Sequence, residues 1–294
     1  MKVIEFKENC FCKGVIRALK ILDAQIRLHR NVYVLGEIIH NEEILKKYKE
    51  KGVKFINPDV PELMRLKDEA ILDDAVFVIG AHGVSPFILG YLVNHQMLVM
   101  VGECPIITAT HRIIMRHSHD NIFYVGRKNH QESNSSREIN PFTCFIYKDN
   151  LNQSIVEDKT YNPTRKSIMI TQTTCTQEEV DDAIQAIESK NIKIDKIYNT
   201  ICPITKKARE NPYKIPVSPD AVVFVVGGKN SANTINLYTK SLERGLSVYH
   251  IQTKGDIEIS MLSGKNVAYI LAGTSTPPFV VKEIKEYLAL LRDR

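Results

Sequence analysis

The sequence is best approached through what it lacks. No stretch reaches the roughly eighteen uninterrupted apolar residues that a membrane span needs. The N-terminus, MKVIEFKENC, reads as a short alternating strand and has no apolar core of an export signal. The expectation is therefore a reducing cytoplasm, where structural disulfides are rare. A strong charge bias is missing too. The 39 Lys and Arg against 34 Asp and Glu leave a formal charge of +5, scattered along the chain. That argues against nucleic acid and suits a small anionic substrate. The 294 residues, 44% hydrophobic and 25% charged, describe a soluble chain with a sizeable core, in about two domains or three small ones.

What the chain does have is six cysteines. Without export, they point to thiol chemistry, metal ligation or burial rather than to crosslinks. Around them, short β-branched runs alternate with helical patterns. The runs at 32–35, 75–79, 97–101, 121–125, 167–171, 221–226 and 266–272 read as strands. Residues 14–28 place Val15, Ala18, Leu19, Leu22 and Ile26 on one helical face. Thr176 and Glu179 form a capping box before another helix. Near-continuous apolar strands between helices predict an α/β protein with mostly parallel sheets covered on both faces.

An internal echo divides the chain. ECPIIT at 103–108 and ICPIT at 201–205 each set a Cys-Pro pair between a strand and a helix, and FCKGVI at 11–16 holds the equivalent place with Lys13 for the proline. Proline suits the first helical turn, and a helix N-terminus favours a thiolate. The near-regular spacing predicts three similar α/β units: 1–103 with the N-terminal strand, 104–199, and 200–294. A single cysteine in such a place is usually buried packing. Three at matched junctions favour ligation, either of zinc with an open position or of a four-iron cluster.

The loops after the strands carry the polar residues: GEIIHN, GAHGVS, GRKNHQE, TQTTCT, GGKNSANT and AGTSTPP. In open parallel sheets, ligands bind where such loops gather. GGKNSANT could cradle a phosphate or simply cap a helix. His40, His82 and His130 suggest a cage for an anion, and Glu132 is better placed than Glu37 for acid–base work. Thr173 and Thr174 read as helix caps or a proton relay, with capping favoured from the residues alone.

Taken in order, FCKGVIRA, GEIIHN, AHGVS, CPIIT with His111, HQE, TQTT, the third cysteine, VVGGKNSANT and AGTSTPP span almost the whole chain. The sequence resembles the IspH (LytB) family, the 4-hydroxy-3-methylbut-2-enyl diphosphate reductases of the non-mevalonate isoprenoid pathway. The resemblance implies three α/β units arranged pseudo-threefold around a central [4Fe-4S] cluster, with Cys12, Cys104 and Cys202 as ligands and Cys10, Cys144 and Cys175 as bystanders. It implies a reductive dehydroxylation of the allylic alcohol diphosphate to isopentenyl and dimethylallyl diphosphates. An iron without a fourth cysteine would act as Lewis acid on the substrate hydroxyl. Glu132 would be the proton source and Thr173 its relay. His40, His82, His130 and Thr174 would surround the substrate, while Ser231, Asn233 and Ser275 held the diphosphate.

The implied partner is a one-electron donor such as ferredoxin or flavodoxin, and the expected state is a cytoplasmic monomer. The chain departs from the family motif at Val101, Gly102 and Glu103 (usually Asp-Ala-Thr), at Ala109 (usually Lys) and at Gln131 (usually Pro). It also departs at Ala208 and Arg209 (usually Arg-Gln) and at Ala232 (usually Ser). The alternatives are a divergent paralogue reducing another small allylic or anionic substrate, and a non-catalytic cluster-binding redox sensor.

Overall fold

The structure is a computed structural model that describes residues 1–6, 9–29, 31–39, 41–68, 75–128, 130–140, 142–147, 161–229 and 231–291. It is α/β, with three four-stranded sheets whose strands all pair in parallel. The chain forms two compact units. One comprises Met1–Ile16, Ile39–Tyr48 and Pro203–Arg294; the other comprises Arg17–Ile38 and Lys49–Cys202.

The larger unit holds two sheets. The first contains β2 (Asn31–Leu35), β3 (Lys54–Ile56), β4 (Ala75–Ile79) and β5 (Val99–Val101), in the order β3-β2-β4-β5. The second contains β6 (Asn121–Gly126), β7 (Thr143–Tyr147), β8 (Ser167–Thr171) and β9 (Lys196–Tyr198), in the order β7-β6-β8-β9. In the smaller unit, β10 (Ala221–Val226), β11 (Val248–Ile251) and β12 (Val267–Ala272) are joined by β1 (Lys2–Glu5), in the order β1-β12-β10-β11. All three sheets therefore share one wiring. The strand that opens the run lies between the second and the third, and a fourth strand lies outside the third. In the sheet of β10–β12 that fourth place is taken by the N-terminal strand, which the sequence reading had grouped with residues 1–103.

The helices are α1 (Lys13–Leu28), α2 (Glu42–Glu50), α3 (Val60–Asp68), α4 (Pro86–Asn94), α5 (Pro105–Arg116), α6 (Gln131–Arg137), α7 (Gln177–Glu188), α8 (Pro203–Ala208), α9 (Ala232–Glu243) and α10 (Pro278–Leu290). Period-two alternation sends successive strand residues to opposite faces, and helices cover both. On one face of the second sheet, Phe123, Val125 and Met169 pack with Val180, Ala183 and Ile187 of α7. On the other, Ile122, Tyr124, Ile168 and Ile170 pack with Ile114 of α5. The sheet of β10–β12 repeats this, with Phe224 and Ile270 facing Val281 and Ile284 of α10, and Val223 and Leu271 facing Leu237 of α9. Among the described residues no helix is long and apolar enough to cross a membrane.

Candidate active site

Each of the three echoing cysteines stands after a fourth strand and immediately before a helix: Cys12 between β1 and α1, Cys104 between β5 and α5, Cys202 between β9 and α8. The backbone holds all three by one device. The N–H of Cys12 donates to the Thr274 carbonyl (3.2 Å), that of Cys104 to Ala81 (3.0 Å) and that of Cys202 to Thr173 (2.8 Å). Each acceptor lies two residues past the end of its sheet's third strand, at Ala272, Ile79 and Thr171. The residue that follows each acceptor is a candidate substrate binder: Ser275, His82 and Thr174.

A second offset repeats as well. Paired strand ends are Leu35 with Ile79, Val125 with Thr171 and Val226 with Ala272. Five residues past Val125 and Val226 come His130 and Ser231, which cap α6 and α9. The same offset from Leu35 falls in the sequence on His40, which lies outside the described residues.

Within the larger unit, the proton-handling candidates meet. Glu132 sits in the first turn of α6, only 1% exposed. Its Oε1 accepts the Thr173 N–H (2.8 Å) and the Tyr124 hydroxyl (3.3 Å), and its Oε2 faces the Thr173 hydroxyl at 2.8 Å. Thr173 is thus bonded to Glu132, and the cap of α7 is Thr176, with its box to Glu179 intact. Burial and the charge of Glu132 push the Tyr124 phenol well above its ordinary range, so it stays a donor. The Nδ1 of His130 accepts the Glu132 N–H (3.1 Å), which leaves Nε2 to carry the ring proton. His130 meets His82 edge to face, with ring centroids 5.6 Å apart. Arg17 steadies the strand end before Cys104 by donating to the carbonyls of Glu103 (2.7 Å) and Val101 (3.2 Å).

The smaller unit gathers the candidate anion binders. The Ser231 hydroxyl caps α9 by accepting the Thr234 N–H (3.4 Å), and the Ser275 hydroxyl lies 3.4 Å from it. Asn41 donates to the Ser275 carbonyl (3.3 Å). Asn233 is 3% exposed, and neither its Nδ2 nor its Oδ1 has a hydrogen-bond partner among the described residues. A buried amide left so costs about 1–3 kcal/mol, which a ligand would recover.

The bystander cysteines separate from the three. Cys10 packs against the apolar layer beside α10, and burial, with the nearby Glu5, pushes its thiol up to about 12. Cys175 is buried in the second sheet's core. The side chain of Cys144 lies outside what the structure describes. Cys12, Cys104 and Cys202 are thiols rather than disulfides, each set in the same backbone arrangement at the opening of a helix. No closed set of three metal-holding His, Cys, Asp or Glu side chains occurs among the described residues.

Sequence reading alone missed Tyr124 and Asn41. Asn41 does cap α2 locally, accepting the Ile44 N–H (3.0 Å), but its bond to Ser275 spans 234 residues, and Tyr124 meets Glu132 only through the turn from β6 to α6.

A sequence model of the LytB protein family matches residues 3–289. The chain belongs to the LytB family. A 4-hydroxy-3-methylbut-2-enyl diphosphate reductase of Caldanaerobacter subterraneus subsp. tengcongensis is 29% identical, with 99% of this chain and 98% of that protein aligned. One from Wolbachia sp. subsp. Brugia malayi is 30% identical over 99% of this chain and 92% of its own. Among solved structures, the Plasmodium falciparum E-1-hydroxy-2-methyl-but-2-enyl-4-diphosphate reductase superposes with a TM-score of 0.80 at 24% identity, covering 99% of this chain and 87% of that one. A further (E)-4-hydroxy-3-methyl-but-2-enyl diphosphate reductase, described as the terminal enzyme of the non-mevalonate pathway, gives 0.67 at 25% identity, covering 99% of this chain and all of the other. The LytB fold is thus present along the chain.

Proposed function

We propose that this chain reduces 4-hydroxy-3-methylbut-2-enyl diphosphate to isopentenyl and dimethylallyl diphosphates, holding a [4Fe-4S] cluster on Cys12, Cys104 and Cys202. The observation that carries this reading is the run Glu132–Thr173–Cys202: a buried carboxyl bonded to a threonine hydroxyl whose own carbonyl holds the third cysteine.

The net reaction consumes two electrons and two protons. The allylic C–O bond breaks, the hydroxyl departs as water after taking one proton, and the other proton ends on carbon. When bound, the cluster supplies the electrons one at a time, which no side chain can do. The chain's own residues manage the rest. At rest Glu132 Oε2 accepts the Thr173 hydroxyl; with two donors already on Oε1, Oε2 is the oxygen that takes up the proton to be delivered, facing Thr173 Oγ1. Glu132 then donates to the threonine oxygen, which turns its own hydrogen towards the leaving hydroxyl. His82 and His130 offer N–H donors to the anionic substrate, and the family resemblance assigns the same task to His40, which lies outside the described residues. Ser231, Ser275 and the amide of Asn233 take the diphosphate, with Thr174 at the equivalent loop position of the second sheet.

The proposed partner is a one-electron donor of the ferredoxin or flavodoxin kind, with the protein a monomer in the cytoplasm. The test is anaerobic turnover of the diphosphate with a reduced one-electron donor, alongside iron and sulfide analysis. Stoichiometric zinc without sulfide, or a full cluster with no turnover, would refute the assignment.

A further inference from the structure

One side chain between the two histidine loops has no part in the proton path. Gln131 stands between His130 and Glu132, and its carboxamide reaches from the second sheet's loop to two loops of the first. Its Nε2 donates to the carbonyl of Gly83 (2.9 Å) and, more weakly, of Leu35 (3.4 Å). Its Oε1 accepts the N–H of Glu37 (3.3 Å). The fit is close. Gly36 has φ +73°, and a Cβ there would fall 2.7 Å from Oε1.

The far side of Gly83 is held as well. Glu103, 8% exposed, accepts the Val84 N–H and the Thr108 hydroxyl (2.7 Å). A Cβ on Gly83, whose φ is +74°, would overlap this carboxyl group. Gln131 and Glu103 are two of the positions where the chain departs from its family motif, and both departures converge on the turn that carries His82.

We propose that Gln131 and Glu103 are positioning residues that clamp the His82–Gly83–Val84 turn from opposite sides, fixing His82 against His130 for substrate binding. The orientation of the amide follows from its neighbours. Two carbonyls need a donor and one N–H needs an acceptor, so a carboxamide satisfies all three groups at once. A proline at 131 has no side-chain donor or acceptor for them. The proposal rests on the reductase reading for its substrate but not for the clamp itself.

The test uses the cluster-loaded protein. Gln131→Leu keeps the bulk and removes both arms; Gln131→Glu leaves the Glu37 acceptor but sets an oxygen against two carbonyls. KM for the diphosphate should rise about tenfold in each, with kcat within about threefold and iron content unchanged. Amide hydrogen exchange at Glu37 and Val84 should accelerate about tenfold or more. Glu103→Leu, which removes both acceptor oxygens, should give the same pattern at Val84, and its effect should not add to that of Gln131→Leu. Unchanged exchange and KM in folded Gln131→Leu would overturn the proposal. A raised KM with unchanged exchange would also overturn it, since Gln131 would then touch substrate directly. If Gln131→Leu fails to fold, Gln131→Asn, too short to reach Gly83, takes its place. Should the wild type not turn over the diphosphate, the exchange measurements still decide the clamp while the reductase reading fails separately.

Discussion

Replacing Glu132 by glutamine separates stability from chemistry. The carboxyl group meets three donors: the Thr173 N–H and Tyr124 hydroxyl at Oε1, and the Thr173 hydroxyl at Oε2. A glutamine oxygen keeps the first two. Its NH2 takes the place of Oε2, and the Thr173 hydroxyl can rotate to accept from it. All three contacts survive in form, so the fold should lose only about 1–2 kcal/mol. What disappears is the proton. A positioned acid contributes about a hundred- to ten-thousand-fold in rate, or roughly 3–5 kcal/mol of barrier.

The assay is anaerobic steady-state turnover at measured iron and sulfide content, together with binding of the diphosphate to the oxidised protein. The expected result is kcat lowered by about two to four orders of magnitude, with cluster content and binding close to the parent. That is the pattern of a group acting in the transition state. Tyr124→Phe is the control, since it removes a donor from the same carboxyl oxygen without touching the relay, and should cost less than about tenfold. Turnover of Glu132→Gln within about tenfold of the parent, at full cluster occupancy, would refute the relay and send the proton by another route.

Other outcomes can be stated more briefly. Ser in place of Cys12, Cys104 or Cys202 should strip or destabilise the cluster, whereas Cys10→Ser and Cys175→Ser should keep iron and sulfide at parental levels. Asn233→Leu, close in volume, should stabilise the ligand-free protein by about 1 kcal/mol in chemical denaturation, because an unsatisfied amide is removed. It should also raise KM for the diphosphate. Burial lowers the pKa of His111 to about 4. The unfolded chain therefore takes up this proton first, and the contribution is fully present above about pH 6.5 and lost as pH falls towards 4. The linkage is worth about 3 kcal/mol. Over that window Tm should fall less steeply in His111→Gln than in the parent, and equal slopes would contradict the assignment.

How far the sequence discloses this molecule depends on which forces wrote each part. The central strands were legible because burial on both faces demands uninterrupted apolar runs, as in AVVFVV at β10. The capping box at Thr176 was legible because it is a local contact. The strands missed are β3, β7 and β11, while β9 is read only as a strand without bounds before Cys202, and all four lie at sheet edges. KFI at β3 and KIY at β9 mix charge with apolar residues, since an edge strand faces solvent and carries no continuous pattern. The place of β1 was hidden for another reason: its partner, β12, lies at the opposite end of the chain. In the site, helix-opening cysteines were readable from proline and strand signals. The partnership of Tyr124 with Glu132 was not, because Tyr124 looks like any inward strand residue until the fold brings the carboxyl group to it.

The recurring hydrogen bond from cysteine to strand-end loop also separates frame from chemistry. Because the acceptor is a backbone carbonyl, the identity of Ala81, Thr173 or Thr274 matters little for holding the cysteine. Side chains at the next position are therefore free to differ, and they do: histidine at 82, threonine at 174, serine at 275. The same freedom appears at the helix caps, histidine at 130 and serine at 231. One backbone design, used three times, can hold three thiols alike while each sheet's loops carry a different task. On the proposed function, the histidines and the Glu132–Thr173 pair would handle protons in the larger unit, and uncharged hydroxyls and an amide would receive an anion in the smaller one. A substitution in the frame, such as Pro105→Gly, should then act on cysteine placement and cluster retention. One at a loop position, such as Ser275→Ala, should act on substrate affinity with the cluster intact. A frame change that altered only affinity would break this division of labour.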